Sequence, residues 1–174
     1  MEIAPLSIAA SARRNGQHAW MARRLFELMG TSVATTPEHG PKLMLGRHCY
    51  HYAWHAELFI ALLPTPAEVH PYAVVQPPTA DVETMFASFE QFTTTAERLG
   101  AIYGVAVPMM LDRIRGHVDQ CSPVTDAPTM RVLDLAAHDL AVDEQEARHM
   151  MATLVSSGTW QQSEDHGDPL SERS

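Results

Sequence analysis

Apolar residues recur at three- and four-residue intervals along most of the 174-residue chain, a pattern that predicts amphipathic helices. Four stretches have this pattern, at residues 6–29, 42–63, 79–120 and 130–155. Gly30 is expected to end the first helix, and Thr79 or Asp81 is expected to cap the third. Strand patterns are weak, because the one short candidate, residues 72–75, is flanked by prolines. The chain is therefore predicted to be all-α.

Prolines separate the predicted helices. Residues 64–78, PTPAEVHPYAVVQPP, contain five prolines and leave little room for a helix. Extended at about 3.3 Å per residue, this link reaches roughly 45 Å, which exceeds the length of a helix of about 22 residues. It can therefore carry the chain back along the molecule, between two antiparallel helix pairs. Pro108 is expected to kink the third helix, whereas Pro128 suits the first turn of the fourth, which Thr125 or Asp126 caps.

Composition predicts one globular domain. Hydrophobic residues make up 45% of the chain and charged residues 19%, both ordinary values. We expect the domain to cover residues 1–156 and a polar, acidic, disordered tail to cover residues 157–174. The longest apolar run is too short to cross a bilayer, and no signal peptide is recognised. Because Cys49 and Cys121 suit a reducing compartment, a cytoplasmic protein without a membrane partner is predicted.

Charge narrows the range of partners. The formal net charge of −9 argues against nucleic acid, whose binding depends on neutralising phosphates with Lys and Arg. Four arginines do cluster in the first helix, at Arg13, Arg14, Arg23 and Arg24. Their helical spacing is interpreted as a solvated face rather than an anion site.

The second predicted helix carries three histidines in the run HCYHYAWHAE. His48, His51 and His55 have the spacing i, i+3, i+7 and therefore share one face. His48 lies in the first half of this helix and is expected to face solvent. His51 and Tyr52 cannot both point inward, because adjacent helical residues diverge by about 100°. His55 is interpreted either as a metal ligand or as a core histidine bonded to Glu146.

The fourth predicted helix contains a Glu-x-x-His pair, Glu146 and His149. This spacing directs a carboxylate and an imidazole to the same place, and di-iron carboxylate bundles use two such pairs plus one Glu from each remaining helix. A chance pair on the surface is the alternative. Asp139 and Asp143 precede Glu146 by seven and three positions on its face, and Asp143 is expected to be solvated.

Two segments resemble the ferritin-like proteins. DAPTMRVLDLAAHDLAVDEQEARH resembles the segment that leads into the last helix of that family, and YAWHAELF is similar to the family's first ligand pair, at His55. The resemblance implies a ferritin-like antiparallel four-helix bundle with a long Pro-rich crossover between helices 2 and 3. It also implies an iron site in which His55, Glu146 and His149 are ligands.

The sequence departs from the family's carboxylate pattern. Tyr52 stands where the family has a Glu, and the first helix offers no acid before Glu27. On the third helix Glu97 is a possible ligand, but Tyr103 and Gly104 occupy positions where another acid is expected. Because hard metal ions need oxygen-rich ligation, the loss of these carboxylates should weaken or abolish a second metal. Two histidines and one carboxylate also ligate mononuclear non-haem iron. The chain is therefore expected to bind one iron, another divalent metal, or none.

Three functions remain open at this point. The first is an enzyme that activates oxygen at a reduced His/Glu metal site and acts on a small, largely apolar biosynthetic substrate. The second is a metal-free isomerase, cyclase or dehydratase in which His51, Tyr52 and Glu146 carry out acid–base chemistry. The third is a non-catalytic helical binding protein. A small-molecule substrate suits the first two, and a homodimer is compatible with all three.

Overall fold

The computed structural model describes residues 6–64 and 71–156, which are helical and contain no β-strand. Their α-helices are α1 (Ile8–Thr35), α2 (His39–Ala61), α3 (Ala80–Phe89), α4 (Thr95–Ala101), α5 (Val107–Val118) and α6 (Ala127–Ser156). A 3₁₀ turn, Pro71–Val74, precedes α3, and a π-helical segment, Ile102–Ala106, joins α4 to α5. The all-α prediction is confirmed. The predicted tail, residues 157–174, lies outside the described residues, as do residues 65–70 of the Pro-rich link.

α1 is longer than the sequence pattern predicted. Ser7 caps its start by accepting a hydrogen bond at Oγ from the N–H of Ala10, at 3.2 Å. The predicted end at Gly30 is wrong, because the helix continues to Thr35. A glycine inside a helix costs only about 1 kcal/mol relative to alanine. Packing offsets that cost here, since Met29 and Ser32 on either side of Gly30 are buried.

The predicted third helix is divided into two. α3 ends at Phe89, and Thr94 begins a new helix with a capping box. Thr94 Oγ1 accepts from the Glu97 N–H at 3.2 Å, while Glu97 Oε2 accepts from the Thr94 N–H at 3.0 Å. This reciprocal pair satisfies two backbone donors that a helix start leaves open. The sequence signal for the break is therefore Thr-x-x-Glu, which the hydrophobic pattern alone did not reveal.

Pro108 lies in the first turn of α5, directly after the π-helical segment. A proline inside an α-helix removes one backbone donor and its ring crowds the preceding turn. Here the preceding turn is wide, and the Val107 N–H bonds the carbonyl of Ile102, five residues back. Residues 95–118 consequently form one continuous helical segment. Helix type thus changes immediately before the proline, and the kink stays a prediction.

Long segments that contact one another run in opposite directions. α1 and α2 form a hairpin, in which the Cys49 thiol approaches the carbonyl of Phe26 at 3.5 Å. α1 also runs against residues 95–118, because Arg14 near its start bonds Gly116 near their end, at 3.3 Å. α6 contacts both α2 and α5. The interior between these segments is filled by large buried side chains, among them Leu25, Met29, Leu45, Phe59, Met110 and Leu140.

The 3₁₀ turn packs directly on the backbone of α1 at Gly16. A Cβ atom at this position would lie 2.0 Å from the carbonyl oxygen of Val74 and 2.7 Å from its carbon. No side chain larger than hydrogen fits such an approach. Gly16 thus anchors the end of the Pro-rich link against the helix. Among the helices of the described residues, none is long and apolar enough to span a membrane.

Candidate functional site

Three histidines of α2 face three acidic residues of α6. The pairs are His55 with Asp139, His51 with Asp143 and His48 with Glu146, and their nitrogen–oxygen distances are 2.8, 3.0 and 3.1 Å. From His55, the next two histidines lie four and then three residues earlier on α2. From Asp139, the next two acids lie four and then three residues later on α6. The two helices are therefore antiparallel, and each turn brings a new pair into register. We call these six residues the His–acid ladder.

His48 is buried, so the expectation that it faces solvent is wrong. It is 1% exposed, and its Nδ1 lies 2.7 Å from Tyr103 Oη. Burial raises the pKa of Tyr103 well above its usual value, so the phenol keeps its proton and donates to Nδ1. The Nε2–H of His48 then donates to Glu146, and Asp143 Oδ1 lies 3.3 Å from the same nitrogen.

His51 and Asp143 form the middle pair. Both oxygens of Asp143 lie within 3.1 Å of His51 Nδ1. The carboxylate is buried, with a side chain 2% exposed, whereas the His51 side chain is 35% exposed. The expectation that Asp143 is solvated is wrong, because His51 supplies a donor that water would otherwise provide and the ring of His48 lies 3.3 Å from the carboxylate. A proton on Nδ1 of His51 leaves its Nε2 as a basic nitrogen on a part-exposed ring.

The groups of the ladder differ in their charge at neutral pH. Burial lowers the pKa of His48, although the charges of Asp143 and Glu146 oppose this effect. Burial alone would raise the pKa of Glu146, but hydrogen bonds from His48 and Arg47 outweigh it and the pKa is lowered. Burial raises the pKa of Asp143, although His48 and the hydrogen bond from His51 oppose this effect. At neutral pH His48 is therefore uncharged, and Glu146 is an exposed anion paired with Arg47.

His55 and Tyr52 lie deeper in the protein. His55 is fully buried, and its partner is Asp139 rather than the expected Glu146. Burial lowers the pKa of His55, and its Nδ1 has no hydrogen-bond partner among the described residues. Tyr52 is also fully buried, and its Oη has no partner there either. Tyr52, predicted to be catalytic, therefore makes no hydrogen bond to the ladder.

The three predicted iron ligands have separate surroundings. His55 bonds Asp139 inside the protein, Glu146 pairs with Arg47 and His48, and His149 is exposed beside a groove of about 630 Å³ between α5 and α6. Across residues 6–64 and 71–156, no group of three or more His, Cys, Asp or Glu side chains is arranged to hold a metal ion. As placed, these residues do not fit the iron site that the resemblance implies. Iron binding stays a prediction.

Comparisons of the chain with protein-family models, with curated proteins and with solved structures found no match.

The geometry of the middle pair suits proton transfer. A buried carboxylate that accepts from Nδ1–H fixes the tautomer of an imidazole and stabilises the imidazolium form. His51 meets this requirement and is part-exposed, so a small molecule can reach its ring. His48 lies 3.3 Å from the same carboxylate and is hydrogen-bonded to Tyr103 and Glu146. Sequence reasoning had proposed His51 and Glu146 as catalytic residues but had expected Asp143, which lies between His51 and His48, to be solvated.

Proposed function

We propose that the chain is a ferritin-like four-helix bundle with a Pro-rich crossover, and that its ladder carries out acid–base chemistry on a small molecule. Four long segments support the first part: α1, α2, residues 95–118 and α6. α1 is antiparallel to both α2 and residues 95–118. α2 and residues 95–118 consequently run in the same direction, which a long connection between them permits.

The contact between His51 and Asp143 carries the proposal for chemistry. His51 Nε2 acts as the general base, and Asp143 orients the ring and stabilises the positive charge that forms. His48, itself bonded to Tyr103, holds Glu146 in place by a hydrogen bond and lies 3.3 Å from Asp143.

In the proposed reaction, His51 removes a proton from a substrate carbon next to a carbonyl group. The imidazolium then returns this proton to a different substrate atom, which is an isomerisation. When the proton goes to a leaving hydroxyl, the products are water and an alkene, which is a dehydration. Both steps conserve protons and electrons without a further reactant. The substrate class is thus a small carbonyl compound with an acidic C–H bond.

A deuterium-exchange assay tests this function without knowledge of the natural substrate. A panel of small enolisable ketones and acids is incubated with the protein in D₂O, and loss of the α-proton signal is followed by NMR. Wild type is expected to accelerate exchange for at least one member of the panel. His51→Gln should reduce that rate by about 10²–10⁴-fold, the usual contribution of a general base. Asp143→Asn should reduce it as well, because the tautomer is no longer fixed.

His138→Gln is the matched control, since His138 is an exposed histidine on the same helix as Asp143. It should leave the exchange rate unchanged. Circular dichroism of each variant shows whether the helices are retained. The proposal is wrong when a folded His51→Gln protein exchanges as fast as wild type, or when wild type exchanges no member of the panel.

A further inference from the structure

A second cluster of polar side chains lies between α1 and α5, on a different helix pair from the ladder. His18 and His117 are 3% and 0% exposed, and His18 Nε2 lies 3.2 Å from His117 Nδ1. The outer nitrogens of this pair, His18 Nδ1 and His117 Nε2, are buried and have no partner among the described residues. Asn15, three residues before His18 on α1, also has a buried Oδ1 without a partner among the described residues. The cluster therefore contains buried polar atoms that form no hydrogen bond with the described residues.

Two arginines belong to the same cluster. Arg14 donates to the carbonyl of Gly116 at 3.3 Å and to Gln120 Oε1 at 2.8 Å. Arg113 donates to Gln17 Oε1 at 3.2 Å, while its Nε–H is buried without a partner among the described residues. All these acceptors are neutral. No carboxylate within the described ranges lies at ion-pair distance from either guanidinium, although the chain carries a net charge of −9.

These groups surround a cavity of about 330 Å³, at the lower end of the volumes that hold small ligands. It is lined by Arg14, Gln17, His18, Arg113, Gly116 and Gln120. The arginines were expected to lie on a solvated face. This is confirmed for Arg13, which is exposed, but wrong for Arg14, which is half-buried at this cavity.

The electrostatic environment of the cavity is positive. Burial, followed by the charges of His117, Arg113 and Arg14, lowers the pKa of His18 to about 3. Burial and then the Arg14 charge also lower the pKa of Arg113. Asp126 partly opposes the Arg14 charge at His117, but its Oδ2 already accepts from the backbone N–H of Ser122. Two like charges are thus held close together without a counterion among these residues.

We propose that this cavity is a binding site for a small oxyanion, with Arg14, Arg113 and His18 as its ligands. Arg113 Nε–H supplies a free donor, and the guanidinium of Arg14 has further N–H groups beyond its two bonds. When His117 Nδ1–H donates to His18 Nε2, the proton of neutral His18 lies on Nδ1, which becomes a third donor. Planar guanidinium groups match the oxygens of a phosphate or a carboxylate.

Ligand titrations at constant ionic strength test the site. Sodium phosphate and sodium acetate are added at pH 7 in exchange for sodium chloride, and the midpoint of thermal unfolding and the ring NMR signals of His18 and His117 are recorded. A saturable rise in the midpoint with saturable shifts of these signals is expected for at least one of the two anions. A response to phosphate alone would identify a phosphate site, and a response to acetate alone would identify a carboxylate site. A response to both anions would identify a site that accepts either group.

Charge-matched variants complete the test. Arg14→Gln should weaken binding about tenfold or more, since hydrogen bonds to charged groups are the strong ones. Arg13→Gln removes the same charge one residue away and should bind within about twofold of wild type. Arg113→Gln replaces Arg14→Gln if the latter does not fold. The proposal is overturned when neither anion differs from chloride, or when a folded Arg14→Gln or Arg113→Gln binds as tightly as Arg13→Gln.

Discussion

Tyr103 and Tyr52 are both buried tyrosines, but their hydroxyl groups have different surroundings. Tyr103 Oη lies 2.7 Å from His48 Nδ1, whereas Tyr52 Oη has no partner within the described residues. A buried polar group that loses its partner costs about 1–3 kcal/mol. Tyr103→Phe is therefore expected to lower the free energy of unfolding by that amount. Tyr52→Phe should leave it unchanged or raise it by up to about 1 kcal/mol.

Urea denaturation of the two variants and wild type measures this difference. The two substitutions remove the same atom from side chains of equal size, so each is the control for the other. Equal losses of stability would contradict the hydrogen bond between Tyr103 and His48, or would show that Tyr52 also has a partner.

The buried histidine pair makes stability depend on pH. The pKa values of His18 and His117 are lowered from 6.5 to about 3 and about 4, chiefly by burial and then by neighbouring positive charge. Below pH 6.5 the unfolded chain therefore binds more protons than the folded one. The free energy of unfolding should fall as the pH drops from 6.5 toward 4, by up to about 1.4 kcal/mol per pH unit for each histidine.

Equilibrium unfolding at several pH values between 5 and 7, in buffers without phosphate, measures this slope. His18→Asn and His117→Asn should each flatten it. An unchanged slope in both variants would show that these histidines titrate alike in the folded and unfolded chain.

At the scale of helices, replacing two glycines by alanine is expected to have opposite effects on stability, one set by close packing and the other by helix propensity. Gly16 of α1 lies against the carbonyl of Val74, whereas Gly46 of α2 has no heavy atom within 4 Å of its built Cβ. Gly46→Ala should therefore stabilise the protein by about 0.5–1 kcal/mol through helix propensity. Gly16→Ala should destabilise it by about 1–3 kcal/mol, the usual cost of forcing atoms into a packed site.

Thermal or urea unfolding of both alanine variants tests this contrast. The opposite signs matter more than the sizes, since the intrinsic propensity gain is the same at both positions. Stabilisation by Gly16→Ala would mean that the 3₁₀ turn is not held against α1.

The ladder shows which parts of the site the sequence could predict. The spacings of His48, His51 and His55 on α2 are mirrored on α6, and mirrored spacings fit two antiparallel helices. That signal could have placed the acids opposite the histidines, but Glu146 instead of Asp139 was predicted as the partner of His55. Burial of Asp143 could not be predicted in the same way, because a lone carboxylate on a helix is usually solvated and its donor, His51, comes from another helix. Similarly, the break before α4 depends on a local capping box rather than on the apolar pattern.

For the molecule as a whole, the ladder predicts that thermal stability depends little on metal ions. Its imidazoles and carboxylates are bonded to one another, so a metal ion would have to displace those hydrogen bonds. Treatment with EDTA should leave the thermal midpoint of protein from iron-supplemented cells unchanged. Elemental analysis beside a His55→Ala variant checks the result. Near-stoichiometric iron that His55→Ala removes would contradict the acid–base proposal and support oxygen activation instead.

The predicted homodimer also belongs to the scale of the whole molecule. Leu43, Tyr50 and Trp54 are exposed on α2, with exposures of 56%, 68% and 42%. Their spacing places them on one outer face of the helix. The homodimer stays a prediction, and sedimentation of the purified chain measures it directly.

The wide turn at Ile102–Ala106 sets how the residues before it are rotated about the helix axis relative to the residues after it. A π-turn holds one residue more than an α-turn. Deleting Gly104, which is exposed, would let residues 95–118 wind as a regular helix. Everything before the deletion would then rotate by about 100° relative to α5. Tyr103 would turn away from His48 while the helix itself survived, so this single extra residue determines whether the phenol reaches the ladder.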